Sequence, residues 1–272
     1  MPANDNAVII AWTMTTAASP AIRAENLSCT LSGTEIIRGI DIEIADGEFV
    51  GIIGPNGAGK STLVKCLAGL LPFGGTVEIY SKPVREYSRR ELARTVSYVP
   101  QAYFRYFPYS VFEFVLMARY PHVSRFAGFS KDDRDAVLES LATVGIESLK
   151  DRAMGTLSGG ELQKVFLAGT LAQGSKIAIM DEPTVFLDPK NHGELLELLL
   201  KLAESENRTL VVVSHDVNFV AQGASRIVGL KEGRLVFKGK PDELGPDALY
   251  EIYGAQFVSV LHPATGRPVA LI

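Results

Sequence analysis

The nine residues "GPNGAGKST" at positions 54–62 limit the possible folds of this chain more than any other stretch of its sequence. They fit the pattern G-x-x-x-x-G-K-[S/T] between a strand-like apolar run and a helix-like run, which is the context of a phosphate-binding loop. Accessible backbone N–H groups, the dipole of the following helix and a lysine would hold phosphate oxygens, and a serine would hold Mg²⁺. The pattern therefore predicts that a nucleotide's phosphates bind to Gly54, Pro55, Asn56, Gly57, Ala58, Gly59, Lys60, Ser61 and Thr62, with Ser61 also a metal ligand.

Strand and helix patterns alternate along the chain. Short strand patterns that indicate an edge sheet occur at 22–31, 39–46 and 76–80, and continuous apolar strands occur at 96–99, 177–181 and 209–213. Buried strands that alternate with helices indicate a parallel sheet covered on both faces. Residues 104–156 show helix patterns only. We therefore predict an α/β fold, in which a P-loop NTPase core with a mostly parallel sheet carries an antiparallel β edge subdomain and an inserted α-helical subdomain.

These patterns also suggest how the chain divides into domains. The expected parts are a flexible amino-terminal extension (1–21), an ATP-binding α/β core (22–103 and 157–240), a helical subdomain (104–156) and a carboxyl-terminal region (241–272). The last region ends in "LHPATGRPVALI", which we expect to be irregular.

Composition excludes some classes of partner. Lysine and arginine (27) are fewer than aspartate and glutamate (31), and no long basic run occurs, so we expect no nucleic-acid partner.

No apolar run approaches the length of a membrane-spanning helix, and the amino terminus lacks the basic region of a signal peptide. The two cysteines, Cys29 and Cys66, have no metal-ligand spacing and are expected to be buried thiols.

A second chemical motif is "KIAIMDEP" at 176–183. Its apolar strand ends in two adjacent carboxylates, at the carboxyl edge of the sheet where ligands of open α/β folds bind. Because two acids at such an edge need a cation or a proton-transfer role, we predict that Asp181 binds Mg²⁺ and that Glu182 polarises the attacking water. The alternative is an ordinary loop in which Glu182 pairs with a nearby lysine.

Two further polar residues follow apolar strands. Gln101 comes after "VSYVP" and His215 after "LVVVS". Since the carboxyl ends of parallel strands share one edge of a sheet, both side chains are expected beside Asp181. We predict that Gln101 and His215 are catalytic residues that sense the γ-phosphate, with Gln101 also a metal ligand.

The stretch "LSGGE" at 157–161 predicts another anion-binding helix start. Ser158 and Glu161 have the spacing of a capping box, which any helix can use. Two consecutive glycines add nothing to a capping box, whereas they let backbone N–H groups approach a phosphate. We therefore predict that Ser158, Gly159 and Gly160 bind nucleotide.

Taken in order, these motifs resemble those of the nucleotide-binding subunit of ATP-binding cassette (ABC) transporters. The resemblance covers residues 22–245 and includes "FLDP" at 186–189. It implies that ATP and Mg²⁺ are bound, and that two copies, as a homodimer or pseudo-dimer, pack head to tail. In such a dimer the LSGGE helix of one copy covers the ATP in the P-loop of the other, and Asp188 lies at the interface.

The resemblance also implies membrane partners. Seven of the twelve residues from Tyr103 to Phe114 are aromatic. We attribute part of them to a packed core and part to an exposed groove, which in this family receives an integral membrane permease. The stretches "MARYPH", "LAGTLAQ" and "HPATGRP" look most like those of importers of iron–siderophore, haem or cobalamin. This implies a peripheral position on the cytoplasmic face of the cell membrane and, indirectly, a periplasmic or extracellular substrate-binding protein.

Two points stay open in the sequence. A soluble ABC ATPase of an assembly complex, such as an iron–sulfur scaffold, would carry the same motifs without a membrane partner. Leu31 stands where the family usually has an aromatic residue that stacks on adenine, so we expect weak discrimination between bases.

Overall fold

The computed structural model describes residues 19–101, 108–124, 128–185, 187–261 and 268–271. Several predictions fall outside the described residues: those on the amino-terminal extension up to residue 18, on residues 103–107 of the aromatic stretch, and on most of "HPATGRP". The strands are β1 (Ile22–Leu31), β2 (Thr34–Ile44), β3 (Phe49–Ile53), β4 (Gly74–Ile79), β5 (Lys82–Pro83), β6 (Val96–Val99), β7 (Ile177–Asp181), β8 (Thr209–Val213), β9 (Arg226–Lys231), β10 (Arg234–Gly239), β11 (Val258–Leu261) and β12 (Pro268–Leu271). The helices are α1 (Lys60–Leu67), α2 (Arg89–Thr95), α3 (Val111–Met117), α4 (Lys131–Thr143), α5 (Gly159–Gln173), α6 (Pro189–Glu206), α7 (Val217–Gly223) and α8 (Pro246–Tyr253).

The edge sheet is antiparallel, as predicted. Its four strands follow the order β2-β1-β4-β5. β1 and β2 are joined by Ser32 and Gly33, whose φ angles are 49° and 81°. Two consecutive residues with positive φ match the turn that best suits the twist of a hairpin, so this pairing is set locally.

The central sheet carries the site. Its order is β10-β9-β3-β8-β7-β6; the five strands from β9 to β6 run parallel, and only β10 is antiparallel to its neighbour. Every residue of β3, β7 and β8 is buried. The prediction of a mostly parallel sheet covered on both faces is confirmed, while β9 and β10 are strands that the sequence analysis did not anticipate.

Alternate residues of one strand contribute to two different cores. Ile177 and Ile179 of β7 pack in a core shared with the edge sheet and α1. Ala178 and Met180 pack on the opposite face, in a core shared with the helices from α3 to α8. Because successive side chains of a strand point to opposite faces, the apolar residues of β7 join both layers to the sheet.

Helices are inserted between β6 and β7, as predicted. Arg119, which follows α3, ties this region together: its Nε donates to Asp133 Oδ1 of α4 at 2.9 Å, and its Nη1 donates to the Ala172 carbonyl of α5 at 2.7 Å. The domain limits themselves stay a prediction.

The expectation of an irregular carboxyl terminus is wrong for its last strand. β12 pairs with β11 in an antiparallel hairpin. The hairpin is anchored to α7, because the Asn218 side chain donates to the Ala270 carbonyl at 3.1 Å and accepts from the Ala270 N–H at 2.8 Å. This anchor joins residues 52 positions apart, so local sequence patterns could not predict it.

Both cysteines are buried free thiols, as expected. Among the helices of the described residues, none has the length and apolar character needed to cross a membrane.

Candidate active site

The P-loop connects the buried strand β3 to α1 through glycines in unusual conformations. Gly54, Gly57 and Gly59 have φ angles of 152°, 80° and 98°. A Cβ atom on Gly54 would lie 2.1 Å from the Leu230 carbonyl oxygen. Gly59 precedes α1 and supplies no side-chain cap. Glycine is therefore required for this loop path, and the first N–H groups of α1 have no side-chain acceptor from the capping position.

Lys60 is buried beside the loop that carries it. Its Nζ donates to the Gly54 carbonyl at 2.8 Å and to the Pro55 carbonyl at 3.2 Å, and it lies 4.0 Å from Glu182 Oε1. Burial lowers the pKa of Lys60, and the carboxylates of Glu182 and Asp181 oppose this effect. The Lys60 side chain is thus desolvated and lies at the loop, close to two carboxylates.

Asp181 ends β7 and accepts two hydroxyl hydrogen bonds. Ser61 Oγ donates to its Oδ1 at 2.9 Å, and Tyr98 Oη donates to its Oδ2 at 3.1 Å. The side chain is almost fully buried, and burial raises the pKa of Asp181 although both hydroxyls oppose the shift. The structure brings together the two predicted metal ligands Ser61 and Asp181.

Tyr98 is a site residue that the sequence analysis missed. It lies on β6, which pairs with β7 in register Tyr98↔Ile179. A tyrosine in a short strand was the available signal, but only the strand order reveals that its hydroxyl reaches Asp181.

Glu182 and His215 are in direct contact. Glu182 Oε2 accepts from the His215 backbone N–H at 3.0 Å and lies 2.7 Å from His215 Nδ1. Glu182 is buried and has a φ of 55°, a left-handed conformation that costs a residue with a Cβ atom about 1–2 kcal/mol. The surrounding strands therefore hold this carboxylate in one orientation, while the imidazole remains largely exposed.

Gln101 is placed differently from the other predicted residues. It follows β6 and is exposed. Among the hydrogen bonds of the described residues, none joins Gln101 to Asp181 or Glu182. Its roles as γ-phosphate sensor and metal ligand stay predictions.

The LSGGE segment forms the predicted capping box. The Glu161 N–H donates to Ser158 Oγ at 3.3 Å, and the Ser158 N–H donates to Glu161 Oε2 at 2.7 Å. Gly160 has a packing reason that the sequence analysis did not foresee, since a Cβ atom there would lie 2.8 Å from Asn191 Cγ. One of the two glycines is therefore required by the neighbouring helix, independently of any phosphate.

Asp188 caps the amino terminus of α6, the helix whose Asn191 lies next to Gly160. Its Oδ1 accepts from the Asn191 N–H at 2.8 Å and from Asn191 Nδ2 at 3.0 Å. These hydrogen bonds lower the pKa of Asp188, so it is an exposed carboxylate at neutral pH. Among the hydrogen bonds of the described residues, none joins Ser158, Gly159 or Gly160 to the P-loop of their own chain.

Known proteins resemble this chain over most of its length. A family profile described as ABC transporter matches residues 37–185, more than half of the chain. The ferric enterobactin transport ATP-binding protein of Escherichia coli (strain K12) is 36% identical over 252 residues, covering 92% of this chain and 93% of the relative. The hemin import ATP-binding protein of Gloeobacter violaceus is 36% identical over 259 residues, covering 92% and 93%.

A solved structure agrees with these relatives. A metal-chelate type ABC transporter in an inward-facing conformation superposes with a TM-score of 0.80 at 27% identity, covering 93% of this chain and 98% of that chain. The fold and the ATPase class predicted from the sequence are confirmed. This chain belongs to the ABC transporter family.

Proposed function

We propose that this chain is the ATP-hydrolysing subunit of an importer that moves a metal chelate through a membrane permease. The observation that carries the proposal is the position of Glu182. This buried carboxylate contacts His215 and lies 4.0 Å from Lys60 of the P-loop. A base, a cation and a phosphate-binding loop thus meet at one edge of the sheet.

The residues at this edge fit Mg²⁺. Mg²⁺ prefers oxygen ligands and usually takes only one or two protein groups together with phosphate oxygens and waters. Ser61 and Asp181 supply a hydroxyl and a buried carboxylate that are already 2.9 Å apart. No group of three or more His, Cys, Asp or Glu side chains suited to a metal exists among the described residues, which agrees with a metal held mainly by its nucleotide. When bound, Mg²⁺ neutralises charge on the phosphates.

The chain's own residues supply the remaining chemistry. Lys60 would bind phosphate oxygens with its ammonium, and the N–H groups of the P-loop would hold the others. Glu182 would orient the attacking water and accept its proton. His215 holds Glu182 in place through its backbone N–H and contacts the same oxygen with its ring, so it can couple the position of the carboxylate to the γ-phosphate.

Two copies would share each ATP. Ser158, Gly159, Gly160 and Asp188 make no described hydrogen bond to their own P-loop, and they would face the nucleotide of the partner. A similar cassette supports this arrangement: a dimeric bacterial ABC transporter cassette superposes with a TM-score of 0.71 at 31% identity, covering 80% of this chain and 98% of that chain.

The cargo and the membrane partner follow from the relatives. Proteins named for ferric enterobactin transport, hemin import and cobalamin import support an iron–siderophore, haem or cobalamin as the cargo. The permease would dock near residues 103–114, where the Tyr109 side chain is 42% exposed. The subunit would then sit peripherally on the cytoplasmic face of the membrane, with a substrate-binding protein on the other side.

Replacing Glu182 with glutamine tests the site. The variant keeps size and loses the negative charge, so kcat for ATP should fall by about 10²- to 10⁴-fold, while binding of ATP with Mg²⁺ persists. Light scattering should then detect an ATP-dependent dimer. Adding Ser158→Arg should abolish that dimer, because the larger side chain would block the partner's phosphate. Glu197→Gln removes an exposed carboxylate from α6 and serves as the control, with wild-type kcat.

Two results would contradict the proposal. A Glu182→Gln protein that hydrolyses ATP at the wild-type rate excludes this base, and a double variant that still dimerises excludes the shared nucleotide. Recovery of the tagged chain from solubilised membranes together with a permease supports the importer. Recovery only from the soluble fraction with a scaffold protein would support the assembly ATPase instead.

A further inference from the structure

His192 is a partly buried histidine close to the candidate active site. It lies in the first turn of α6, and its side chain is 30% exposed. Its Nε2 lies 3.1 Å from the carbonyl oxygen of Thr184. Because a carbonyl oxygen can only accept, Nε2 carries a hydrogen and donates it to Thr184. The imidazole is therefore attached to the loop that leads from Glu182 into α6.

This loop begins with a strained residue. Thr184 is buried two residues after Glu182, whose φ of 55° is left-handed. A backbone in such a conformation persists only where its surroundings fix it. The Thr184 carbonyl accepts from the Leu187 N–H at 3.2 Å and from His192 Nε2. The first bond closes a turn within the loop, whereas the second ties the loop to α6.

The other side of the imidazole faces the loop that carries His215. His192 Nδ1 lies 3.7 Å from Oδ2 of Asp216, the residue after His215. Asp216 is itself fixed, since its Oδ1 accepts from the Phe219 N–H at 3.0 Å. The rings of His192 and Phe219 pack edge to face, with centroids 6.1 Å apart. His192 thus lies between the loop of Glu182 and the loop of His215.

We propose that His192 is a positioning residue for ATP hydrolysis, which holds the loop after Glu182 through its hydrogen bond to the Thr184 carbonyl. It acts through Glu182 rather than on ATP. Orientation of a base toward its water is sensitive to small shifts, since a displacement of about 1 Å can cost a factor of about 10² in rate. The inference rests on the proposed function, because it requires Glu182 as the base.

Three substitutions at position 192 test the proposal. His192→Leu removes the donor, so kcat for ATP should fall about 10- to 100-fold. KM and the dissociation constant of AMP-PNP with Mg²⁺ should stay unchanged, because the interaction serves the transition state only. His192→Gln places an amide N–H near the position of Nε2 and should keep most of the wild-type kcat. His192→Asn places its amide near the position of Nδ1, too far from Thr184, and should behave like His192→Leu.

His122→Leu is the matched control. His122 Nε2 makes the same kind of contact, 2.8 Å from the Gln173 carbonyl. Gln173 donates to the carbonyl of Val96, the first residue of β6, so this contact lies at the opposite edge of the sheet from Glu182. Both leucine variants lose one hydrogen bond from imidazole to carbonyl, and we expect similar Tm values for them. The value of kcat should fall in His192→Leu and stay at the wild-type level in His122→Leu.

The Glu182→Gln background separates this inference from the proposed function. Once the carboxylate is gone, His192 has no base to orient, so adding His192→Leu should lower kcat little further. The same fold loss in both backgrounds would mean that His192 acts independently of Glu182, and the inference would be wrong.

Three other results would also overturn the inference while the ATPase proposal stands. These are a wild-type kcat in His192→Leu, an equal loss of kcat in His192→Leu and His192→Gln, and a loss of AMP-PNP affinity that accompanies the loss of kcat. Hydrolysis at the wild-type rate by Glu182→Gln alone would overturn both proposals.

Discussion

Replacing Gly160 tests whether the LSGGE segment needs glycine for packing, for nucleotide binding or for both. Replacing it with alanine would put a Cβ atom 2.8 Å from Asn191 Cγ and 2.9 Å from both Asn191 Oδ1 and Nδ2. Because every terminal atom of this amide is too close, rotating the amide does not relieve the contact. The Asn191 side chain must move, and the hydrogen bond from its Nδ2 to Asp188 is then lost.

The expected cost follows from these contacts. Loss of the Asn191–Asp188 bond destabilises by about 0.5–1.5 kcal/mol, and a disturbed cap at Asp188 adds about 0.5–2 kcal/mol. The better helix propensity of alanine offsets about 0.5–1 kcal/mol. These contributions centre on about 1.5 kcal/mol. We therefore expect Gly160→Ala to lower the free energy of unfolding by about 1–2 kcal/mol and Tm by about 2–8 °C for a chain of this size.

Urea denaturation followed by circular dichroism would measure this change against two controls. A Cβ atom at Gly169, on the same helix, would meet nothing within 4 Å, so Gly169→Ala should leave stability unchanged or raise it by up to about 1 kcal/mol. Asn191→Ala removes the obstacle, so alanine at 160 should cost little in that background. The double-mutant cycle should give a coupling of about 1 kcal/mol or more.

The reasoning is refuted if Gly160→Ala is as stable as Gly169→Ala, or if the costs at 160 and 191 simply add. The same proteins also separate the two uses of glycine. A double variant that regains stability but hydrolyses ATP at under about a tenth of the wild-type rate would indicate that a bare backbone at position 160 also serves the partner's nucleotide.

Two further predictions concern the edges of the site. Tyr109→Asp places a charge on the surface proposed for the permease, where an unpaired buried charge is costly, so transport in cells should fall about 10-fold or more. The Tm and the ATPase rate of the isolated subunit should stay unchanged. As a control, Tyr250→Asp should leave transport normal. Normal transport by Tyr109→Asp would remove this residue from the docking surface. Leu31→Tyr should tighten ATP binding about 5-fold or more, since stacking on a base contributes about 1–3 kcal/mol; unchanged or weaker affinity by calorimetry would mean that Leu31 does not face the base.

The sequence could predict those parts of the site that depend on local order along the chain. The P-loop lies between one strand and one helix, and Asp181 and Glu182 directly follow an apolar strand, so pattern and position were sufficient. Ser61 and Asp181 met because parallel strands place their carboxyl ends at one edge.

Other features depend on which elements become neighbours. Tyr98 reaches Asp181 only because β6 pairs with β7, and Gly160 is needed only because α6 begins beside α5. The strands β9 and β10 were missed although β9 lies against the P-loop strand. The pairing of β9 with β3 is long-range and lay outside any short window. The pairing of β9 with β10 is local, across the turn at Glu232 and Gly233, and the sequence analysis overlooked it.

The left-handed backbone at Glu182 sets two kinds of selection against each other at a single position. Glycine would relieve the strain there, and asparagine would tolerate the same conformation better, but neither can accept a proton from water. In a gene copy that is no longer selected for hydrolysis, we would therefore expect Glu182 to be replaced early. The replacement should raise the free energy of unfolding of the encoded protein. Under the proposed role of Glu182 as the general base, selection for hydrolysis is what would retain the glutamate.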